Sequence, residues 1–357
     1  MRMILLVFAR ISLVSLIDSQ QKSVASQPPQ CGVTVLEGQE ILDTRQMNAV
    51  YSARRTKRRY EVWFLRCGLA DGSGAWWIRY LLMNLGRNGC DAGPSGSPVQ
   101  IWATWFPRGG KAQTFIQGYP ADALELSARG ELPLHYRIAE NGIEENTCWG
   151  DLQIDGHTIS WKLRCRSTFG AVLSDKGWIG FSKSPHSNAT FSGEIIFDGK
   201  KFSGEPLGVG VQGHNCGYRH RTYWRWMHAC FPRESGSAST LEALVYDLPF
   251  SMVFRKGIWW HDGKVSVLRR FEEIGAERGT DRLKWKFSGL DADGSPLEAT
   301  IEASAPGIHE LPYLKTDCSG TFPVSNASLA YAVVRCGKNS GETLETKGGA
   351  VLEFGGA

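Results

Sequence analysis

The run Gly213-His214-Asn215-Cys216-Gly217-Tyr218-Arg219-His220 and the segment Tyr223-Trp224-Arg225-Trp226-Met227-His228-Ala229-Cys230-Phe231 gather three histidines, two cysteines and two tryptophans among arginines. Imidazole is the side chain that donates and accepts protons most readily near neutral pH. His214, His220 and His228 are therefore the candidate general acids or bases, with Tyr223 and Glu61 in reserve. Beside a glycine, His214 reads as part of a polar turn at a strand end, and the adjacent Asn215 amide is placed to orient its ring. Proton-initiated chemistry on a double bond creates a cation that must be held without being quenched. The faces of Trp63, Trp77, Trp224 and Trp226 suit that task, since a desolvated cation–π contact is worth on the order of 1–2 kcal/mol. Arg79 and Asn215 complete the candidate substrate-binding set. A zinc site built from His214, Cys216, His220 and either His228 or Cys230 has the right ligand types, but the spacing matches no standard site, so no metal is expected.

The elements that must carry these groups are strands. From Trp224 onward the period is two, which puts Trp224, Trp226, His228 and Cys230 on one face and Tyr223, Arg225, Met227 and Phe231 on the other. A strand bulky on both faces belongs inside the protein. Asp155-Gly156, Asp198-Gly199, Asp262-Gly263 and Asp293-Gly294 each separate two strand-like runs, and Asp-Gly favours tight hairpins because the turn demands positive φ. Tyr60 to Arg66 and Ala75 to Leu82 predict a further hairpin, as do Val99 to Phe106 and Lys111 to Gln117. Within the first of these, Glu61 and Arg79 are charged residues among aromatics. They are expected either to pair with each other or to face a wet cavity. Only Ala121 to Arg129 suggests a short helix, and no run reads as a βαβ unit.

The chain has 357 residues, 13 Trp, 16 Phe, 10 Tyr and 41 Gly, which describes an aromatic-rich, turn-rich β protein large enough for two domains. Antiparallel strands at short spacing predict an all-β fold of two barrel or sandwich domains that close over apolar cavities. The expected division is an N-terminal extension over 1–57, a first barrel over 58–220 and a second over 221–357. A net charge of +4 without a basic face excludes nucleic acid as a partner. Nine cysteines with no CxxC pair indicate reduced thiols rather than a disulfide framework. The sequons at Asn188 and Asn326 carry no weight. Met1 to Ile17 is apolar but broken by Arg10, a poor signal peptide and a short span. Residues 18–59 read as loop, ending in the basic run Arg54-Arg55-Thr56-Lys57-Arg58-Arg59, with an alternative start at Met47. A cytoplasmic location is expected, with secretion as the alternative.

Five features in order, Tyr60-Glu61-Val62-Trp63-Phe64-Leu65, Trp77-Ile78-Arg79-Tyr80, Phe197-Asp198-Gly199-Lys200-Lys201-Phe202, the His214 to Trp226 motif and Gly349-Ala350-Val351-Leu352-Glu353-Phe354, resemble a lipocalin-like two-barrel superfamily. That superfamily includes hydroxyneurosporene synthase, a carotenoid hydratase, and tocopherol cyclase. The resemblance spans roughly residues 58–357. Cys216 stands where its members carry Trp, and no acid adjoins His214 in the sequence. It implies a cofactor-independent enzyme that protonates a prenyl, polyene or polyketide substrate and then hydrates, cyclises or isomerises it, with membrane contact where such a substrate is collected. The alternative is a carrier that binds such a molecule without reaction.

Overall fold

Three of the four Asp-Gly pairs turn as their chemistry requires. Asp155 and Gly156, Asp198 and Gly199, and Asp262 and Gly263 all take positive φ, between 48° and 83°, and each joins two strands through a two-residue loop. At the fourth, Gly294 alone is left-handed, within a longer loop between Leu290 and Pro296. The expected cross-strand neighbours meet: Leu152 with Ile159, Ile195 with Phe202, Trp260 with Val265 and Trp285 with Ile301. These observations come from a computed structural model that describes residues 33–35, 41–51, 58–177, 179–232, 238–337 and 341–356.

Nearly all of the described chain is antiparallel strand, in two large lipocalin-like sheets of one compact unit. The first runs from Gln113–Tyr119 through Val99–Pro107, Gly74–Met83, Tyr60–Leu69, Lys200–Gly217, Gly180–Phe197 and His157–Arg166 to Thr147–Ile154 and shorter strands beyond. The second runs from Lys264–Val267 through Val253–His261, Ser239–Asp247, Tyr223–Phe231, Glu342–Gly356, Thr321–Cys336, Pro296–Ser304 and Arg282–Leu290 to Arg269–Arg278. Each sheet wraps an apolar interior, one around Trp63, Trp76, Tyr80 and Trp161, the other around Met227, Trp285, Phe287 and Leu352.

Period-two alternation gives each sheet a second apolar face, and these faces pack together. Val62, Phe64, Trp77 and Trp102 of the first sheet meet Trp226, Leu244, Tyr313 and Val351 of the second in a third core. Arg66 crosses that core. Its buried guanidinium donates to the Ser328 and Gly348 carbonyls, the latter at 2.6 Å, with further contacts to Gly349 and Ala350. The acceptors are available because the ladder between Thr321–Cys336 and Glu342–Gly356 slips register around Ala330, so carbonyls there escape ordinary pairing. Burial pushes Arg66 down to about 10, which leaves it charged at neutral pH.

Several expectations need correction. Cys90 and Cys318 form a disulfide, with Cα atoms 5.6 Å apart across a sequence separation of 228. Loops that no spacing rule relates are brought together only when the sheets pack. The stretch read as loop contains the strands Val33–Val35 and Ile41–Asp43 and the helix Thr44–Asn48. Ala121–Ala123 is one 3₁₀ turn running straight into the strand Leu124–Leu126, so no helix forms up to Arg129. The apolar stretch 1–17 and residues 54–57 of the basic run lie outside the described residues. Among the described residues no helix is long and apolar enough to cross a membrane.

A crosslink closing so long a loop stabilises by at most about 5 kcal/mol in the chain-entropy account. Cys90→Ser should therefore lower the melting temperature by several degrees, and a non-reduced digest of the wild type should contain one peptide pair joined at Cys90 and Cys318. A digest in which both cysteines alkylate freely before reduction would contradict the bridge.

Candidate functional site

His214 lies within the strand Lys200–Gly217 and not in a turn. Gly213 is extended in that ladder, and the position is filled by glycine because the Phe64 ring lies across it: a Cβ on residue 213 would come within 2.3 Å of that ring. His214 faces the first barrel's interior, fully buried and stacked on Trp63 at 4.5 Å. Its Nδ1 donates to the Met47 carbonyl at 2.7 Å, and Nε2 lies 2.9 Å from Glu61 Oε1. Glu61 is thus the acid beside His214 that the linear sequence does not reveal, brought in by pairing with Tyr60–Leu69. Glu61 also accepts from the Tyr51 amide, and Trp63 donates to the Asn48 carbonyl. Together these groups fasten residues 47–51 to the barrel wall. Glu61 therefore pairs with His214, not with Arg79.

A different set of residues meets in a cavity of about 130 Å³ where the two sheets pack, lined among others by Phe64, Trp77, Arg79, Trp226, Tyr313 and Glu353. Of the sequence candidates, Trp77, Arg79, Asn215, His220, Trp224 and Trp226 line it. His214, Glu61, Trp63, His228 and Tyr223 do not. His228 is buried between the sheets against the Ser187 carbonyl, and Tyr223 packs on the second barrel's interior. The proposed zinc ligands do not converge. Among the described residues, the group close enough to hold a metal ion is His261, Cys336 and Glu342, away from this motif.

The titratable group that sequence reasoning passed over is Glu353. It appeared only within the C-terminal strand pattern, although a charge at the alternating position of an apolar strand was a usable signal. Its side chain is 7% exposed and lines the cavity. Trp224 Nε1 donates to Oε1 at 2.9 Å and Asn326 Nδ2 to Oε2 at 3.2 Å. Burial raises its pKa above the ordinary carboxylate value, outweighing these hydrogen bonds and the nearby Arg79. Trp226 is held in the same way, donating to Glu242 at 3.0 Å. Ser184 and Ser187 also donate to Glu242, and burial pushes that carboxyl up to about 7.

Two further wall residues are electrostatically unusual. His220 stacks on Tyr60 at 4.1 Å, and burial, assisted by Arg79, lowers it to about 3, so it is a neutral base. The Arg79 guanidinium sits over Trp102 at 4.8 Å and Tyr313 at 4.4 Å. It is 6% exposed, and no carboxylate among the described residues lies within ion-pair distance. Two cation–π contacts recover about 2–4 kcal/mol, less than the several kcal/mol each that burying an unpaired ion costs. Arg79 Nη1, Trp77 Nε1 and Asn215 Oδ1 are buried without hydrogen-bond partners. All three belong to residues that line the cavity.

No family profile and no curated protein sequence matches the chain. CghA in complex with Sch210972 superposes with a TM-score of 0.56 at 12% identity, covering 83% of this chain and 88% of the other. Kievitone hydratase from Nectria haematococca does so with a TM-score of 0.51 at 11% identity, covering 92% and 96%. The chain has their fold. A second structure of CghA gives the same result, with a TM-score of 0.54 at 12% identity over 84% and 89% of the two chains.

The buried groups set a pH profile. His186, His220 and His228 are lowered to about 4, 3 and 3 by burial, whereas an unfolded histidine titrates near about 6.5. Below that pH the unfolded chain takes up protons the native rings refuse, so stability falls as pH falls. Glu242 and Glu353 act oppositely: their protonated forms belong to the native state, and their contribution is lost as pH rises, for Glu242 through about 7. Between the unfolded carboxyl and imidazole ranges three rings oppose two carboxyls, so the net contribution rises with pH there. Chemical denaturation should show stability rising from about pH 4.5 to 6. Stability that fell steadily from pH 5 to 8 would contradict these burials.

Proposed function

We propose that the cleft between the sheets binds a hydrophobic prenyl, polyene or polyketide substrate, and that the Glu353 carboxyl starts a hydration, cyclisation or isomerisation by protonating it. The observation that carries this reading is a buried carboxyl of raised pKa in a wall otherwise made largely of aromatic rings. Such a carboxyl keeps its proton into the pH range where it can donate, and it delivers that proton where no bulk water competes. Proton transfer from Glu353 to a double-bond carbon leaves a cation on the adjacent carbon and a carboxylate on the enzyme. The faces of Trp77, Trp224 and Trp226 hold that cation. In hydration a water oxygen adds to it, and neutral His220 or the Glu353 carboxylate takes the released proton. In cyclisation a second double bond attacks the cation, closing the ring and moving the positive charge to its far carbon; there, as in isomerisation directly, loss of a neighbouring proton to the Glu353 carboxylate ends the sequence and restores the acid.

The reaction needs neither metal nor organic cofactor, and the hydratase of like fold agrees in reaction type. A pure carrier has no use for a carboxyl held against ionisation, so the enzymatic reading is preferred. Oxidising compartments preserve bridges such as Cys90–Cys318, which favours secretion over a cytoplasmic location.

Mass spectrometry of small molecules copurified from the native host identifies the substrate. With it in hand, Glu353→Gln should retain the fold and lower turnover by about a hundredfold or more. Wild-type turnover should decline as pH rises through the raised Glu353 pKa, because the acid form is the active one. His214→Ala should instead lower the melting temperature with little change in turnover per folded molecule. Full activity in Glu353→Gln would remove the carboxyl from the mechanism, whereas a copurified ligand that the wild type binds without converting it would leave the carrier reading in place of an enzyme.

A further inference from the structure

The cleft is walled by aromatic rings interspersed with polar groups, and a buried cation without a carboxylate partner among the described residues is built into it. Arg79 and Trp77 are alternate residues of the strand Gly74–Met83, so both side chains project from the same face, toward the second sheet. Each ends in a buried N–H without a partner, at Arg79 Nη1 and Trp77 Nε1. The carboxyl nearest in character, Glu353, already accepts from Trp224 and Asn326. Trp102 and Tyr313 lie against the Arg79 guanidinium and limit its movement. A planar cation fixed in this way, with N–H edges unsatisfied, is complementary to a planar oxyanion.

We infer that the substrate is an amphipathic acid, an apolar polyene or polyketide chain ending in a carboxylate or a comparably delocalised enolate, whose oxygens are received by Arg79 and Trp77. This inference rests on reading the cleft as the site of an apolar ligand and narrows that reading, because it excludes a plain hydrocarbon. Docking the acid head at Arg79 also sets the register of the chain, so that one double bond, fixed by its distance from the head, is presented to Glu353. Arg219 and Arg221, more exposed in the same wall, place positive charge where such an anion would enter.

The test uses two probes with one polyene chain, all-trans-retinoic acid and all-trans-retinol, titrated into the intact protein and followed by quenching of tryptophan fluorescence. The acid should bind at least tenfold more tightly than the alcohol. Arg79→Gln should abolish that preference by weakening the acid alone, and Trp77→Phe should reduce it severalfold. The double variant Lys162→Gln/Arg164→Gln, which removes two exposed charges on the strand His157–Arg166 outside the cleft, should keep it. Equal affinity of the two probes for the wild type, a comparison that depends on no variant, would overturn the proposal, as would a preference that survives Arg79→Gln or vanishes in the double variant. If neither probe binds, the apolar-ligand reading of the cleft fails, and the head-group assignment fails with it.

Discussion

The insertion of Arg66 from one sheet into the slipped ladder of the other is the contact on which the rest of the architecture depends. A guanidinium with no carboxylate partner is tolerated in an interior only when its N–H groups are met, and here backbone carbonyls of the second sheet meet them. The interaction fixes the two sheets in angle and in register, because the acceptors belong to a single irregularity. It also leads to the cleft. Ser328, whose carbonyl receives Arg66, donates through its hydroxyl to Asn326 at 3.0 Å, and Asn326 donates in turn to Glu353. The proposed acid is thus positioned by the same bulge that locks the sheets together.

Seen from this joint, the arrangement of charge around the cleft has a physical logic. Both tryptophans of the strand Tyr223–Phe231 that line it are anchored through their indole N–H groups to buried carboxyls, Trp224 to Glu353 and Trp226 to Glu242. Such an anchor holds a flat ring in one orientation, which matters if the ring is to face a cation. Arg79 lowers the Glu353 pKa but does not bring it back to the ordinary value. Were the two in contact, acid and cation would neutralise each other, and neither would remain available to a ligand. Their separation keeps the proton on one and an open coordination edge on the other.

His214 illustrates how a cluster of reactive residue types misleads. Its neighbours in sequence suggested a presented catalytic group, whereas the fold uses it to hold residues 47–51 against the first barrel through Met47 and Glu61. A buried imidazole between a carbonyl and a carboxylate satisfies polar groups that barrel closure would otherwise strand. Chemistry and structure draw on the same side chains, and only the direction in which a strand face points separates them.

That direction marks the division between what sequence determined and what tertiary structure decided. The hairpins were legible because Asp-Gly turns and period-two alternation are local: they depend on φ and on side-chain alternation within a few residues. So was the strand that carries Trp224 and Trp226, and Trp77, Arg79 and His220, singled out by residue type, line the cavity between the sheets. Glu353 and Tyr313 joined the cleft, and Asn326 reached Glu353 from behind it, from strands about a hundred residues beyond the motif, through pairings no local pattern encodes. The Cys90–Cys318 bridge and the Glu61–His214 pair are likewise products of long-range register. Sequence determined which residues share a face, because the pleat of a strand alternates its side chains. Which face bounds a cleft and which fills a barrel was decided only by the packing of sheet on sheet, because that depends on contacts between segments that are remote along the chain.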